Sequence, residues 1–493
     1  MTRILSHANI NYTAKLNAFP YQMQTFLTLK DLNYAAIFHE QGLGKTKIAI
    51  DLLLYWLQKR NIDTVIVVTK KQLVKNWMDE FMIHTFIHPK ILSNKRGDNF
   101  YVFNSPAKVI VTNFETFNTE RERLTLYLKC RNVGIIIDES AKIKNPQATI
   151  TKTFLALSKL FKIRIIMTGT PVANRPYDIW SQIYFLDHGK SLGDDFQSFK
   201  KNLDLSNDLG NNNNKAQKFE EEVSTIFKKI SAFTVRETKK SSGIVLPQKI
   251  YNTVYSEFTP IQEKMYEQVI HDMKIEIMKN GSVYIDDSEI ILKRLLRLLE
   301  IASNPFLIDD SYKEIPGKVI VLDNIIKKIM NKGEKCIIWS SFVENIDVLA
   351  ARYSKYNPQR IHGEMSIGDR NQAVESFKKE EKCQLLFATP QAAKEGLTLT
   401  VANNVVFYDR GFNLDDYLQA QDRIHRISQK KTCYVYNILM KNSIDVWIDK
   451  LLQAKQYAAF LAQGDISIDL YKSKMDYGYG DMLREMLGVN TNE

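Results

Sequence analysis

The sequence contains 493 residues, of which 44% are hydrophobic and 25% are charged, a composition that supports large buried cores and excludes bulk disorder. A chain of this length exceeds one compact domain and predicts about two to four domains. The formal net charge of +11 favours a polyanionic partner, because each Lys or Arg placed on a phosphate releases condensed counterions. On charge alone, a merely basic soluble protein is the alternative.

The cysteines Cys130, Cys336, Cys383 and Cys433 are widely separated and form no CxxC pair. A disulfide framework or a zinc site is therefore not expected, and this usage is typical of a reducing compartment. The N-terminus lacks the uninterrupted apolar core of a signal peptide, and no run approaches the ~20 apolar residues that span a bilayer. We expect a soluble, intracellular protein without membrane association.

Short apolar runs rich in β-branched residues alternate with longer helical patterns along most of the chain. Nearly every position in these runs is apolar, which is typical of strands covered on both faces, and their alternation with helices indicates βαβ units and parallel sheets. The first half predicts strands at residues 34–39, 64–69, 108–112, 133–137 and 163–168 with a helix at 45–58, and the second half predicts strands at 335–340, 384–388, 404–408 and 432–439.

The chain between these two sets of strands has a different pattern. It is mostly helical, at residues 215–230, 260–279 and 289–302, with an exposed polar loop at 206–215. Gly and Pro in the stretch SSGIVLPQK predict a linker between two lobes. The predicted fold class is therefore α/β, with two lobes of parallel sheet and helical insertions. The predicted domains are lobe one at residues 1–243 with a helical protrusion at about 175–240, lobe two at 244–450 with a helical insertion at about 255–310, and a helical C-terminal extension and tail at 451–493.

Residues 39–46 read HEQGLGKT and stand between a predicted strand and a predicted helix, the context that a phosphate-binding loop requires. The glycines let backbone amides approach phosphate oxygens, and the helix N-terminus adds a favourable dipole. In such a loop Lys45 contacts the β- and γ-phosphates and Thr46 binds Mg²⁺. The full pattern has Gly where this chain has His39, and an ordinary turn before a helix is the alternative interpretation.

Two further stretches carry residue types suited to phosphate chemistry. VGIIIDE ends a predicted strand with Asp138 and Glu139, where open α/β sheets place their ligands. Asp138 can hold Mg²⁺, and Glu139 can orient and deprotonate an attacking water. QAQDRIHRISQ contains Arg423 and Arg426, which share one face if the segment is helical and can then act as arginine fingers. A solvated basic helix face is the alternative for these arginines.

Further motifs appear in a fixed order along the chain. They are FPYQ at 19–22, GLGKT at 42–46, VIVVTKKQLVKNW at 65–77, VIVTNFETF at 109–117, DESAKIKN at 138–145, MTGTPVANRPYDIWSQIYFLD at 167–187, LLRLLEIASNPFLI at 295–308, IIWSSFVENID at 337–347, LLFATPQAAKEGLTLTVANNVVFYD at 385–409 and QAQDRIHRISQ at 419–429. With these motifs the chain, over roughly residues 19–450, resembles the Swi/Snf-type ATPases of helicase superfamily 2. TPVANRPYDIWSQI is similar to the annealing-helicase branch, and the short, nearly all-motor chain suggests a bacterial, phage or viral source.

The resemblance implies two RecA-like lobes that close on ATP and reopen after hydrolysis, with ATP and Mg²⁺ as cofactors and duplex DNA as the partner of a monomeric motor. Gln22 is the residue that it implies for reading adenine. The residues that it implies are Lys45, Glu139, Arg423 and Arg426 for catalysis; Gln22, Gly42, Leu43, Gly44, Lys45, Thr46, Gly396 and Gln421 for nucleotide binding; Thr46 and Asp138 for the metal; and Thr112, Asn113 and Thr389 for the DNA backbone.

Ala141 and the stretch VRETK are among the departures from the family pattern. Ala141 stands where many relatives carry the His of DEGH or DEAH. This implies a different coupling between the nucleotide and the motif that begins with the residues MTGTP at positions 167–171. VRETK, at residues 235–239, replaces RRTK and lacks one arginine. Neither change removes a residue needed for ATP cleavage.

Three functions remain open on the sequence. The first is translocation on duplex DNA with remodelling of DNA or of protein–DNA complexes. The second is a strand-separating or branch-migrating helicase, because the same engine serves both. The third is an inactive DNA-binding scaffold, which the intact Lys45 and Glu139 disfavour. RNA is a less favoured substrate, and no nuclease site is found in the sequence.

Overall fold

The computed structural model describes residues 10–172, 174–204, 213–243, 246–279, 288–392, 398–426 and 428–475. The chain forms two compact α/β units. The first comprises residues 1–207, 214–245 and 458–473, and the second comprises residues 208–213, 246–457 and 474–493. The α/β class with two lobes of parallel sheet is therefore confirmed, while the boundaries placed at residues 243 and 450 remain predictions.

The first unit is built on a 7-stranded sheet in which every strand pair is parallel. Its strands are β1 (Tyr34–Ile37), β2 (Thr64–Thr69), β3 (Lys90–Ile91), β4 (Val109–Asn113), β5 (Val133–Asp138), β6 (Ile163–Met167) and β7 (Thr234–Val235). Their order is β3-β4-β2-β5-β6-β1-β7. The neighbouring β5, β6 and β1 therefore bring the three loops that follow them together at one edge of the sheet.

Helices cover both faces of this sheet, and the apolar side of α2 packs into the core with Ile48, Leu52 and Trp56 fully buried. The helices of the first unit are α1 (Pro20–Leu29), α2 (Lys45–Lys59), α3 (Val74–His84), α4 (Arg96–Phe103), α5 (Phe114–Thr119), α6 (Arg121–Cys130), α7 (Thr149–Leu157), α8 (Trp180–Asp187), α9 (Phe196–Lys200) and α10 (Asn213–Ile230).

The second unit repeats this plan with a 6-stranded parallel sheet. Its strands are β8 (Lys249–Ser256), β9 (Cys336–Trp339), β10 (Gln359–Ile361), β11 (Leu385–Ala388), β12 (Asn404–Phe407) and β13 (Cys433–Met440), in the order β10-β11-β9-β12-β13-β8. Its helices are α11 (Pro260–Lys279), α12 (Ser288–Ser303), α13 (Gly317–Met330), α14 (Val343–Arg352), α15 (Ile367–Lys379), α16 (Leu414–Gln421) and α17 (Ile444–Ala462), and α18 (Ile468–Lys474) follows.

Every predicted strand is present within one or two residues of its expected bounds, and the strands that were not predicted are β3, β7, β8 and β10. All of these are edge strands. β8 illustrates the reason, because its residues alternate between partial burial and exposure instead of forming a continuous apolar run. The predicted loop at 206–215 falls largely outside the described residues. Within the described part of the chain, no helix has the length and apolarity needed to cross a bilayer.

Candidate active site

The phosphate-binding loop, residues 39–46, connects β1 to α2. Gly42 has a φ of 87° and Gly44 a φ of 66°, a left-handed conformation that side chains rarely adopt. A Cβ on Gly44 would lie 2.4 Å from Nε2 of Gln22, so a side chain there would also displace the Gln22 amide from the loop. The glycines thus turn the backbone onto the N-terminus of α2, where unpaired amides and the helix dipole favour an anion.

Lys45 is the first residue of α2 and the centre of positive charge in this loop. Its Nζ donates hydrogen bonds to the backbone oxygens of His39, at 2.9 Å, and Glu40, at 3.3 Å. Burial lowers the pKa of Lys45, and the nearby carboxylates of Glu139 and Asp138 oppose that shift. The ammonium of Lys45 therefore interacts electrostatically with both carboxylates. A site that binds both phosphate and a metal ion needs a cation and carboxylates this close together.

Asp138 and Glu139 stand at the carboxyl end of β5. Oδ2 of Asp138 accepts hydrogen bonds from Nε1 of Trp77, at 2.8 Å, and Oγ1 of Thr69, at 3.1 Å. Burial, together with the neighbouring charge of Glu139, raises the pKa of Asp138 to about 6, and the hydrogen bond from Trp77 opposes this rise. Glu139 has a φ of 58°, and its Oε2 lies 3.9 Å from Nζ of Lys70. Non-glycine residues held in this strained conformation cluster at functional sites.

The oxygen atoms near this loop suit Mg²⁺ better than they suit a metal ion whose ligands all come from the protein. Within the described ranges, no group of three or more His, Cys, Asp or Glu side chains is arranged to hold a metal ion. Mg²⁺ characteristically takes one or two protein oxygens and completes its shell with phosphate oxygens and water. The hydroxyl of Thr46 and the carboxylate of Asp138 are oxygen donors of this kind.

Ser140 and Gln182 link the carboxylate turn to the loop after β6, and neither residue was predicted from the sequence. Both side chains are fully buried, and Oγ of Ser140 donates to Oε1 of Gln182 at 2.8 Å. Nε2 of Gln182 donates to the backbone oxygens of Pro171 and Asp178, each at 2.9 Å. Ala141 offers no polar side chain, so this connection runs through its neighbour. The signal in the sequence was the hydroxyl at position 140, directly after the paired carboxylates.

His39 occupies the position of the pattern's missing glycine and is completely buried. Its Nδ1 accepts the backbone N–H of Glu237 at 3.1 Å, so we assign the ring proton to Nε2, which lies 2.8 Å from Oγ1 of Thr25. Burial, together with the charges of Lys45 and Arg236, lowers the pKa of His39 to about 3. A neutral imidazole therefore joins α1 to the segment that contains β7.

Gln22 contacts the phosphate-binding loop directly. Its Nε2 donates to the backbone oxygen of Leu43 at 3.3 Å, and its Oε1 accepts from the backbone N–H of Phe19 at 2.9 Å. The hydroxyl of Tyr21 donates to the same Leu43 oxygen at 2.9 Å. These bonds hold α1 against the loop, and the role of Gln22 in reading adenine remains a prediction.

In the second unit, the expectation that Arg423 and Arg426 share a helix face is wrong. α16 ends at Gln421, and tight turns follow, with the N–H of Arg423 donating to the oxygen of Ala420. The backbone oxygen of Arg423 accepts from Leu399, which draws the chain out of the helix. Arg423 is buried, whereas Nη1 of Arg426 donates to Oγ1 of Thr398 at 2.6 Å. Burial lowers the pKa of Arg426, and Asp422 opposes this.

Gln421 is buried at the end of α16 and is held by β8. Its Oε1 accepts from the hydroxyl of Tyr251 at 2.6 Å, and Nζ of Lys249 lies 3.4 Å away. Lys249 also pairs with Asp422 at 2.7 Å. β8 thus positions the segment that carries the arginines, and this was not foreseen. Gly396, predicted to line the nucleotide site, lies outside the described residues.

The residues predicted to contact DNA are mostly occupied inside the fold. Thr112 is fully buried, and its hydroxyl donates to the backbone oxygen of Leu92 at 3.4 Å. Asn113 is partly exposed, and its Oδ1 caps α5 by accepting from the N–H of Thr116 at 2.8 Å. Thr389 is 4% exposed. Asn113 is therefore the most accessible of the three, and the DNA contacts remain predictions.

Comparisons with known proteins show which family the chain resembles. The family model described as SNF2-related domain matches residues 27–307, and the model of the helicase conserved C-terminal domain matches residues 317–428. The chain is 26% identical over 480 residues to "DNA repair and recombination protein RAD54-like" of Gallus gallus, covering 86% of this chain and 63% of that protein. It is 29% identical over 430 residues to "Uncharacterized ATP-dependent helicase" of Mycoplasma pneumoniae, covering 85% of this chain and 39% of that protein.

The chain therefore spans less than two thirds of the length of these curated relatives. Among solved structures, it is similar to the "Sulfolobus solfataricus SWI2/SNF2 ATPase core in complex with dsDNA", with 24% identity and a TM-score of 0.43. That match covers 94% of this chain and 98% of that chain.

Proposed function

Because the chain belongs to the SNF2-related family, we propose that it is a DNA-dependent ATPase that translocates on duplex DNA and remodels DNA or protein–DNA complexes. The observation that carries this proposal is the convergence at one sheet edge of a glycine-shaped phosphate loop, Lys45 and the paired carboxylates Asp138 and Glu139. These groups supply what phosphoryl transfer to water needs, namely a phosphate cradle, a metal ligand and a group that orients water.

Within the first unit, each residue has a separate task. Lys45 and the amides at the start of α2 bind the β- and γ-phosphates of ATP, and the hydrogen bonds of Lys45 to the backbone oxygens of His39 and Glu40 direct its ammonium into the loop. Mg²⁺, when bound, neutralises phosphate charge, and Thr46 and Asp138 are the residues that would hold it. Glu139 orients the attacking water and accepts its proton. Ser140, bonded to Gln182, holds the turn on which Glu139 stands.

The second unit contributes Arg423 and Arg426, to which we assign stabilisation of the charge that develops on the γ-phosphoryl group. Planar guanidiniums suit this task because they donate to two phosphate oxygens at once. The ion pair of Lys249 with Asp422 and the bond of Tyr251 to Gln421 keep the backbone of this segment fixed. Hydrolysis and phosphate release remove the group that the arginines contact, so this contact is made and lost once in each ATP cycle.

DNA is the proposed track, gripped through its phosphates. The net charge of +11 supports this, since the attraction of a basic protein for a polyanion needs no base contacts. Sequence preference should therefore be slight. The affinity for duplex DNA should fall steeply with salt, with the logarithm of the binding constant decreasing linearly in the logarithm of salt concentration. A flat salt response would contradict a grip on the phosphate backbone.

The experiment that tests the function is steady-state ATP turnover without nucleic acid and with single-stranded DNA, plain duplex DNA, a forked junction or RNA. The Lys45→Ala variant is the control for contaminating ATPases. Strong stimulation by plain duplex DNA supports the duplex translocase. Stimulation confined to single strands or forks favours a strand-separating or branch-migrating helicase. Absence of turnover on every substrate contradicts the proposal and favours a DNA-binding scaffold.

A further inference from the structure

The segment after the main body of α17, residues 458–473, belongs to the first unit although it follows the whole second unit in sequence. α17 ends in a turn in which the N–H of Gly464 donates to Leu461 and the N–H of Asp465 donates to Phe460. This pair of bonds is the Schellman motif, and it needs a left-handed residue, which Gly464 supplies with a φ of 73°. A Cβ on Gly464 would also lie 2.9 Å from the ring of Phe227.

This helix end places Asp465 against Arg236. Nε of Arg236 donates to Oδ1 of Asp465 at 2.6 Å, and Nη2 donates to Oδ2, so the pair is bidentate. Both side chains are largely buried, at 9% and 15% exposed. A bidentate guanidinium–carboxylate pair shielded from water has more fixed geometry than a surface ion pair.

Arg236 in turn holds the start of the phosphate-binding loop. Its Nη1 donates to the backbone oxygen of Phe38 at 2.7 Å, directly before His39. The chain on both sides of Arg236 runs along the same stretch, because Phe38 donates to Val235 and Glu40 donates to Glu237. Thus the guanidinium that Asp465 fixes is one bond away from the backbone that leads into the loop.

The charge of Arg236 also reaches the loop. It contributes to lowering the pKa of His39 and the pKa of Lys45. Asp465 therefore has two separable effects on Arg236. It fixes the orientation of the guanidinium, and it neutralises a positive charge close to the position of the phosphates. Loss of orientation should weaken phosphate binding, whereas loss of neutralisation alone should strengthen it, so the two effects have opposite signs.

We propose that Asp465 is a positioning residue for the nucleotide site, through which the C-terminal segment 458–473 sets the backbone of the phosphate-binding loop by way of Arg236. The segment 458–473 then contributes to nucleotide binding by the first unit. This inference rests on the proposed role of the loop in binding nucleotide, and it is independent of whether the protein moves on DNA.

The test uses the full chain and calorimetric binding of MgADP without DNA. Asp465→Asn removes the charge of the carboxylate with little change of shape, and Arg236→Gln removes the bond to Phe38. We expect each variant to weaken MgADP binding by roughly fivefold to tenfold, which lies within the range of coupling between residues in one hydrogen-bonded network. The matched control is Lys472→Gln, which breaks the other ion pair of this segment, to Glu220 at 3.6 Å, and should change binding less than about twofold.

A second readout separates positioning from general support of the fold. In ATP turnover, Asp465→Asn should raise KM while leaving kcat nearly unchanged, whereas partial unfolding lowers kcat at constant KM. Asp465→Glu keeps the carboxylate and should recover most of the affinity. Unchanged or tighter MgADP binding by Asp465→Asn would overturn the inference, and so would equal weakening by Lys472→Gln. A wild-type chain that does not bind MgADP would overturn the proposed function as well.

Discussion

The buried His39 should make the stability of the protein depend on pH by an amount that can be calculated. The ring is completely buried, and it accepts the N–H of Glu237, so protonation of Nδ1 would break that bond as well as charge a desolvated group. Its folded-state pKa of about 3 lies below the value of about 6.5 for an unfolded histidine. A depressed pKa contributes stability above the unfolded value, and this stability is lost as pH falls, because the unfolded chain takes up the proton first. Between pH 8 and pH 5 the loss is about 2 kcal/mol.

The perturbation is His39→Asn, which keeps an acceptor for Glu237 and cannot titrate. Urea unfolding of the wild type and the variant at pH 8 and pH 5 gives the change in unfolding free energy with pH for each. We expect that change to be about 2 kcal/mol smaller in the variant, since all other titrating groups are shared. His88→Asn, at an exposed histidine, is the control and should follow the wild type. Equal pH dependence in all three proteins, or an NMR resonance of His39 that titrates near pH 6.5, would refute the reasoning.

Three further outcomes follow from the structure. Arg426→Ala should lower DNA-stimulated turnover by roughly a thousandfold or more while ATP binding persists, and retained turnover would refute its assignment as an arginine finger. Gln182→Leu removes the acceptor of Ser140 and leaves buried carbonyls unpaired, so thermal unfolding should show a loss of about 2 kcal/mol or more, together with slower turnover. In the structure, Nζ of Lys318 lies 2.5 Å from the buried carboxylate of Asp445. Lys318→Met leaves that carboxylate without its cation, so urea unfolding should show a loss of about 3–5 kcal/mol in the free energy of unfolding. The same assay on Lys441→Met, at an exposed ion pair, should show no comparable loss.

The sequence predicted the interior of both sheets because those strands are apolar at nearly every position. It did not predict β3, β7, β8 and β10, since an edge strand has one open side and needs no continuous apolar run. For the same reason the role of β8 in holding Gln421 was not predictable, because it depends on which strand lies beside β13.

The candidate phosphate site could be predicted from the sequence because glycine spacing and paired carboxylates are local patterns. The bond of Ser140 to Gln182 joins residues 42 positions apart, and the pair of Arg236 with Asp465 spans 229 positions, so neither has a local signature. The helical spacing of Arg423 and Arg426 was misleading for a different reason. Spacing predicts a shared face only if the helix continues, and backbone bonds to distant residues such as Leu399 ended it.

The return of residues 458–473 to the first unit has a consequence for how the chain is made. A ribosome synthesises the chain from its N-terminus, so the strands of the first unit emerge long before residues 458–473, the last segment of that unit. At bacterial or eukaryotic rates of about 5–20 residues per second, the roughly 200 intervening residues take on the order of 10–40 s to synthesise. During that interval Arg236 lacks its partner, the carboxylate of Asp465. The first unit therefore gains its last segment only after residues 246–457 have been synthesised, so the Arg236–Asp465 pair beside the phosphate-binding loop cannot form before the second unit has largely emerged.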